Sequence, residues 1–280
     1  MKNISLVREP EVSDERVKEA YRDLKESLRV SFVDAMFQAY AATPKFLDYA
    51  WRRLRPSMLS SPFVEQARRV AGIADDGVAA WSISDHAADL RARNYGDADL
   101  RKLREIVEIF HGVLPKLAIV SQALRTALGG EPVGGGGVSH PPLHDDRDRL
   151  VPDFRGLQVP MADEREAPLR VRTAFDEMQR AAGLSFVSTT HRALGAYPDW
   201  LEVFWSDVKP MLTDVRRRDL CNKVDAAAQE AAQQLPYPLN MPNGEFDAMK
   251  PVNDVFCSLL PGLIVDIAVA RHGLGPEPTM

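Results

Sequence analysis

The sequence predicts an all-α protein built from two copies of one helical unit, packed as a pseudo-dimer. Three observations carry that expectation. First, the stretch from Phe32 (FVDAMFQAYAATPKFLDYAWRRLRPSML) returns from Phe186 (FVSTTHRALGAYPDWLEVFWSDVKPML). At a constant offset of 154, Val33 matches Val187, Pro44 matches Pro198, Leu47 matches Leu201, Trp51 matches Trp205 and Pro56 matches Pro210. Ala20 and Tyr21 likewise meet Ala174 and Phe175, and Phe110–Pro115 returns as Phe256–Pro261 at an offset of 146. Second, apolar residues recur at three- and four-residue spacing, with few alternating β-branched runs. Third, a glycine- and proline-rich stretch separates the copies. Half-length copies of this kind predict a ligand site at their seam.

The elements follow in order. A first helix is expected after Ser13, a good N-cap, with Val17, Ala20, Tyr21, Leu24 and Leu28 on one face. Thr43-Pro44 and Ser61-Pro62 are cap-then-proline helix starts. Further helices are expected over Phe63–Gly72, Gly77–Arg93, Ala98–Phe110 and Leu114–Leu128, the last two parted by a break at Gly112–Pro115. The run GGEPVGGGGV, from Gly129 to Val138, cannot be helical at its glycines and reads as a linker. The second copy resumes near Glu164, and Pro236–Gly244 makes a long turn. The expected organisation is 1–129 as first repeat, 130–160 as linker and 161–280 as second repeat.

Composition narrows the function classes. At 280 residues and 45% hydrophobic, the chain can bury a sizeable core. A net charge of −5 argues against general affinity for nucleic acid or an anionic membrane. The longest apolar runs, around Leu114–Val120 and Leu259–Ala270, are expected to fall short of a bilayer span, and the opening residues are too polar for a secretory leader. Two cysteines, Cys221 and Cys257, form no framework, so a cytoplasmic location is expected.

Histidines are the first place to seek acid–base chemistry. His86 falls in an expected helix, His111 precedes the Gly112–Pro115 break, and His191 sits inside the second repeat after Ser188, Thr189 and Thr190. Repeat position favours His191. An isolated helical histidine is more often structural. His140, His144, Asp145, Asp146 and Asp148 cluster in the linker, but loose spacing among glycines and prolines favours a solvated linker over a metal site. Gly134–Gly137 lacks the following Lys-Ser/Thr of a phosphate loop. Ser61 and Glu65 share a helix face, where capping and dipole pairing compete with a pocket role. Asp34, matching Ser188 in the other copy, is either a site carboxylate or a residue facing water. Arg52 and Arg53 read as surface ion-pair partners, and Trp51 and Trp205 as core.

Taken together, Tyr21–Leu24, Leu28–Val30, Pro44, Ala50–Arg53, Glu65–Ala67, Pro115-Lys116, Pro132–Gly135, Ala193-Leu194 and Pro198 resemble the group I 2-haloacid dehalogenases. That family hydrolyses both enantiomers of small 2-halocarboxylic acids, and the likeness spans most of the chain. It implies an all-α pseudo-dimer in which an aspartate activates water to displace halide and an asparagine helps hold that water. Here those positions carry Thr190 and Leu114. The resemblance also assigns aromatic pocket positions to Phe32 and Ala35, a neighbouring serine to Thr189, and a threonine and glutamate to Ser61 and Glu65. The segment around His86 is faintly similar to the alkylhydroperoxidase D-like fold, with Ala79 and Ser82 where its CxxC would stand.

The expected function is a cofactor-free, metal-free, dehalogenase-like hydrolase acting on a small or medium carboxylic acid. His191, Thr190 and Asp34 are the candidate catalytic residues. Phe32, Ala35, Leu114, Thr189, Ser61, Glu65 and His111 are the candidate substrate-binding residues. A small molecule is the expected partner, with no nucleic acid or membrane and with a homodimer left open. Because a threonine cannot replace a carboxylate base at neutral pH, two other readings stand beside this one. One is a homologue repurposed for isomerisation, elimination or cyclisation; the other is a non-catalytic binding protein.

Overall fold

The computed structural model describes residues 4–136 and 151–276. Among these residues there are eleven α-helices and no strand, only an isolated antiparallel bridge between Val133 and Leu239. The all-α expectation holds. Helix α1 (Glu15–Leu28) buries the expected face of Val17, Ala20, Tyr21, Leu24 and Leu28. Its cap is Asp14, whose carboxylate accepts from the Arg16 amide, one residue later than expected. Then come α2 (Ala35–Tyr40), α3 (Pro44–Met58), α4 (Ser61–Val78), α5 (His86–Ala92) and α6 (Asp97–Leu128). The second half holds α7 (Leu169–Ala182), α8 (Thr189–Gly195), α9 (Pro198–Met211), α10 (Val215–Gln233) and α11 (Lys250–Leu274).

Three sequence expectations need correction. The helix expected over Gly77–Arg93 does not form: α4 runs unbroken to Val78 and only the short α5 follows. Gly77 is a packing residue, because a Cβ there would stand 2.4 Å from Cδ1 of Leu220 on α10. No break occurs at Gly112–Pro115 either, since α6 continues through Pro115. Proline removes one ladder bond, and burial of the surrounding turns in the core offsets that loss. Finally, the stretches Asp97–Leu128 and Asp247–Leu274 are long and apolar enough to cross a membrane. Of their apolar windows, 83% and 72% are buried inside the protein, as befits core helices.

Helices α6 and α11 pack along each other at the centre, and the other helices surround them. Equivalent details recur in the two halves. Helices α1 and α7 begin and end 154 residues apart. Trp51 donates through Nε1 to Asp23 at 2.8 Å, and Trp205 to Glu177 at 2.7 Å. Each of these carboxylates also takes a cation from the same helix as its tryptophan, Arg55 at 2.6 Å and Lys209 at 2.9 Å. The Phe32–Phe110 ring pair, 5.3 Å between centroids, returns as Phe186–Phe256 at 6.1 Å. Both tryptophans are buried, as expected, and Arg52 pairs with Asp48 on the surface.

Candidate functional site

The first turns of α2 and α8 meet inside the protein. Asp34 caps α2, its Oδ1 accepting from the Met36 amide at 2.9 Å. Ser188 caps α8, its Oγ accepting from the His191 amide at 3.1 Å. Between them the Ala35 amide donates to Thr189 Oγ1 at 2.8 Å, across a sequence separation of 154. Asp34 is only 6% exposed, against the expectation that it faces water. As a cap it is turned inward against α8. Burial pushes its pKa up, partly opposed by the Met36 amide, the Thr189 hydroxyl and the Ala35 amide.

Thr190 is fully buried, and its hydroxyl has no hydrogen-bond partner among the described residues. The His191 ring lies against Phe204, and its Nε2, also without a hydrogen bond among the described residues, stands 3.8 Å from Asp266 Oδ2. That distance is beyond direct hydrogen bonding. Asp266 Oδ1 accepts from Arg217 Nη2 at 2.7 Å. Burial opposes ionisation of Asp266, but the Arg217 guanidinium and His191 outweigh it and hold the carboxyl below its ordinary pKa. Asp266 in turn raises the pKa of Arg217.

His191, Arg217 and Asp266 line one side of a cavity of about 440 Å³, with Met178, Leu184 and Leu263 among its apolar walls. All of its lining residues fall between Met178 and Asp266. It therefore lies within the second half of the chain, not at the expected seam between halves.

The other candidates are spread more widely. Ala35 is buried beside Thr189, Phe32 packs on Phe110, and Leu114 is fully buried one turn further along α6. Ser61 opens α4 but is not its cap, which is Ser60, and Glu65 is exposed. His111, mid-helix rather than at a break, pairs with Asp75 at 2.9 Å and lines a second, smaller cavity. Phe32, Leu114, Ser61, Glu65 and His111 do not line the His191 cavity. The structure thus gathers Asp34, Ala35, Thr189, Thr190 and His191 and leaves the rest apart.

His86 is the first residue of α5, not mid-helix. It is fully buried, with Nε2 3.0 Å from Asp207 Oδ2, an oxygen that also accepts from the Ser84 amide and hydroxyl. Burial lowers its pKa against the pull of Asp207, and the ring is packed in the core. Among the described residues no His, Cys, Asp or Glu group is arranged to hold a metal, and the His140–Asp148 cluster lies outside them. Sequence reasoning missed Arg217 and Asp266. The available signal was a lone carboxylate inside the apolar run Leu259–Ala270.

The family described as halocarboxylic acid dehydrogenase DehI matches this chain over residues 31–188. The chain belongs to that family. An (R)-2-haloacid dehalogenase of Pseudomonas putida is 24% identical over 272 residues, covering 91% of this chain and 88% of that one. A configuration-inverting 2-haloacid dehalogenase of Alcaligenes xylosoxydans xylosoxydans is 24% identical over 246 residues, covering 84% and 79%. The structure of a D-2-haloacid dehalogenase mutant with D-2-CPA superposes with a TM-score of 0.88 at 22% identity, over 97% of this chain and 96% of the other. That similarity extends the family likeness to the whole fold.

Proposed function

We propose that this protein is a hydrolase of the 2-haloacid dehalogenase type, acting on a small or medium carboxylic acid, with His191 as the group that activates water. Water attacks the α-carbon, the leaving group departs with the bonding electron pair, and the water proton passes to the imidazole. The observation that carries the reading is His191 itself. It follows the position where the family resemblance implies an aspartate, and its ring faces a cavity beside a buried carboxylate. Thr190 at the aspartate position is far too weakly basic to do that work. Thr189, Thr190 and Asp34 shape the turn that presents the histidine, and Ala35 packs against that turn through the Thr189 hydroxyl. We take the chain to be a pseudo-dimer of residues 1–129 and 161–280. The recurring tryptophan–carboxylate–cation sets support that view.

The test is halide release from (R)- and (S)-2-chloropropionate. A positioned general base contributes about 10²–10⁴-fold, so His191→Ala should lose activity on that order. No halide at high enzyme concentration rejects the reading. One observation favours a second reading, a binding protein that has lost the chemistry: Leu114 and Thr190, at the family's two water-handling positions, are both sealed from solvent. Thermal stabilisation by a haloacid without turnover would support it.

A further inference from the structure

The His191 cavity has a counterpart in the first half of the chain. Leu28, Val30, Gly112 and Val113 line a cavity of about 240 Å³. At the offsets of 154 and 146, their equivalents Ala182, Leu184, Ser258 and Leu259 line the larger one. The pair differ in how they carry positive charge. The smaller cavity has Lys116, whose equivalent in the larger is Gly262. With no side chain at 262, Arg217 from α10 reaches in, its Nη2 3.4 Å from the Gly262 carbonyl oxygen. A Cβ at that position would come within 3.3 Å of the guanidinium. The second half thus lacks the central-helix lysine and has Arg217 of α10 in that space, whereas the smaller cavity holds Arg68 of α4 beside Lys116; the second-half cavity is the larger.

Arg217 is poised but only partly used. Its Nη2 serves Asp266 and the Gly262 carbonyl, while Nε and Nη1 donate to no group among the described residues. The side chain keeps 14% of its exposure. These two free donors lie on opposite edges of the guanidinium, so an incoming carboxylate takes a charge-assisted hydrogen bond from one of them. Asp266 already offsets part of the cation's charge, so the site suits a single further anionic group. The remaining wall, including Met178, Leu184, Leu259 and Leu263, is apolar, and the volume falls within the range of small-ligand pockets.

We propose that this cavity is the protein's acid-binding site. The carboxylate of an apolar-bodied monocarboxylic acid accepts from a donor of Arg217 that Asp266 leaves free, and its hydrocarbon chain lies on Met178, Leu184, Leu259 and Leu263. Asp266 is a positioning residue that holds the guanidinium in place. The link from this site to turnover rests on the hydrolytic reading above; the binding itself does not.

Calorimetry with hexanoate and hexanamide tests the assignment without any reaction. Wild-type protein should bind hexanoate in preference to the amide. The double variant R217Q/D266N replaces both charges and leaves no buried ion unpaired, so the fold should persist. Its hexanoate affinity should fall about ten- to a hundredfold, with hexanamide unchanged. D266N alone leaves the guanidinium without its internal counter-ion and should tighten hexanoate, the opposite direction. Equal wild-type affinity for acid and amide, full hexanoate affinity in the double variant, or lost hexanoate binding in folded D266N would each overturn the proposal. Halide release from 2-bromohexanoate separates the two readings. Arg217-dependent hexanoate binding with no halide released leaves the site standing and the hydrolase reading rejected. Halide release with an unchanged KM in R217Q/D266N does the reverse.

Discussion

Replacing Thr190 by valine should make the protein more stable and, on the hydrolytic reading, less active. The Thr190 hydroxyl is fully buried and bonds to nothing among the described residues. Leaving such a group unsatisfied costs about 1–3 kcal/mol. Valine keeps the branched shape and exchanges the hydroxyl for a methyl group, which the buried site accepts. The net gain should be about 1 kcal/mol, since the extra methyl has to be accommodated by its packed neighbours. In a chain of this length that corresponds to a rise in melting temperature of roughly 2–4 °C. Thermal melts followed by circular dichroism measure it directly. A fall in melting temperature of about 2 °C or more would refute the reasoning, because it would mean that the hydroxyl holds a stabilising hydrogen bond. Halide release measured on the same samples adds a second reading. A more stable but at least roughly tenfold slower variant places the hydroxyl in the reaction, whereas unchanged turnover removes Thr190 from the site.

Asp34 supplies a pH-dependent prediction. Its carboxyl pKa is raised by burial, so the folded state holds the proton more tightly than the unfolded chain. Stability is therefore lost as pH rises from the ordinary carboxylate value through the raised one, and the penalty is complete above it. Asp34→Asn keeps a capping side chain and abolishes this titration. Its stability relative to wild type should rise between pH 4 and pH 8 in urea melts, and a pH-independent difference would contradict the account. On α11, a Cβ on Gly273 would stand 2.5 Å from Nδ1 of His86, a ring already held by Asp207. Gly273→Ala should cost about 1–3 kcal/mol by overpacking. Combined with His86→Ala, the cost should be clearly less than additive in a double-mutant cycle. Strict additivity would show that the two positions do not crowd each other.

Helical faces were legible in the sequence because one side of each helix must be buried. The α1 face from Val17 to Leu28 is an example. Helix ends were less legible. Gly77 and Pro115 carry local helix-breaking signals, yet each lies inside a helix whose burial outweighs the local penalty. His111 consequently moved from an expected break to a helix face paired with Asp75. The cluster around α8 was visible through the repeat, since Thr189, Thr190 and His191 stand where the first copy has Ala35, Met36 and Phe37. Arg217 and Asp266 were not visible. They meet across 49 residues, and neither an arginine in a basic triplet nor a carboxylate in an apolar helix announces its partner.

The stretch that leads into the second half is stitched to both halves. Arg29 ends α1 in a left-handed conformation, φ 59°, where its equivalent Gly183 ends α7 at φ 68°. Arginine bears that backbone at some cost, and here it is put to use. Its guanidinium donates to the Val151 carbonyl at 2.9 Å, and its own carbonyl accepts from the Phe154 amide at 3.0 Å. Ser31 holds the Leu157 carbonyl at 2.7 Å, and the Ala162 amide donates to the carbonyl of Arg192, next to His191, at 2.9 Å. Residues 157–162 thus act as a gauge bar whose length fixes how far the histidine's helix stands from the end of α1. A single deletion in that bar must either tear a stitch or drag the histidine, even though no residue of the bar borders the cavity.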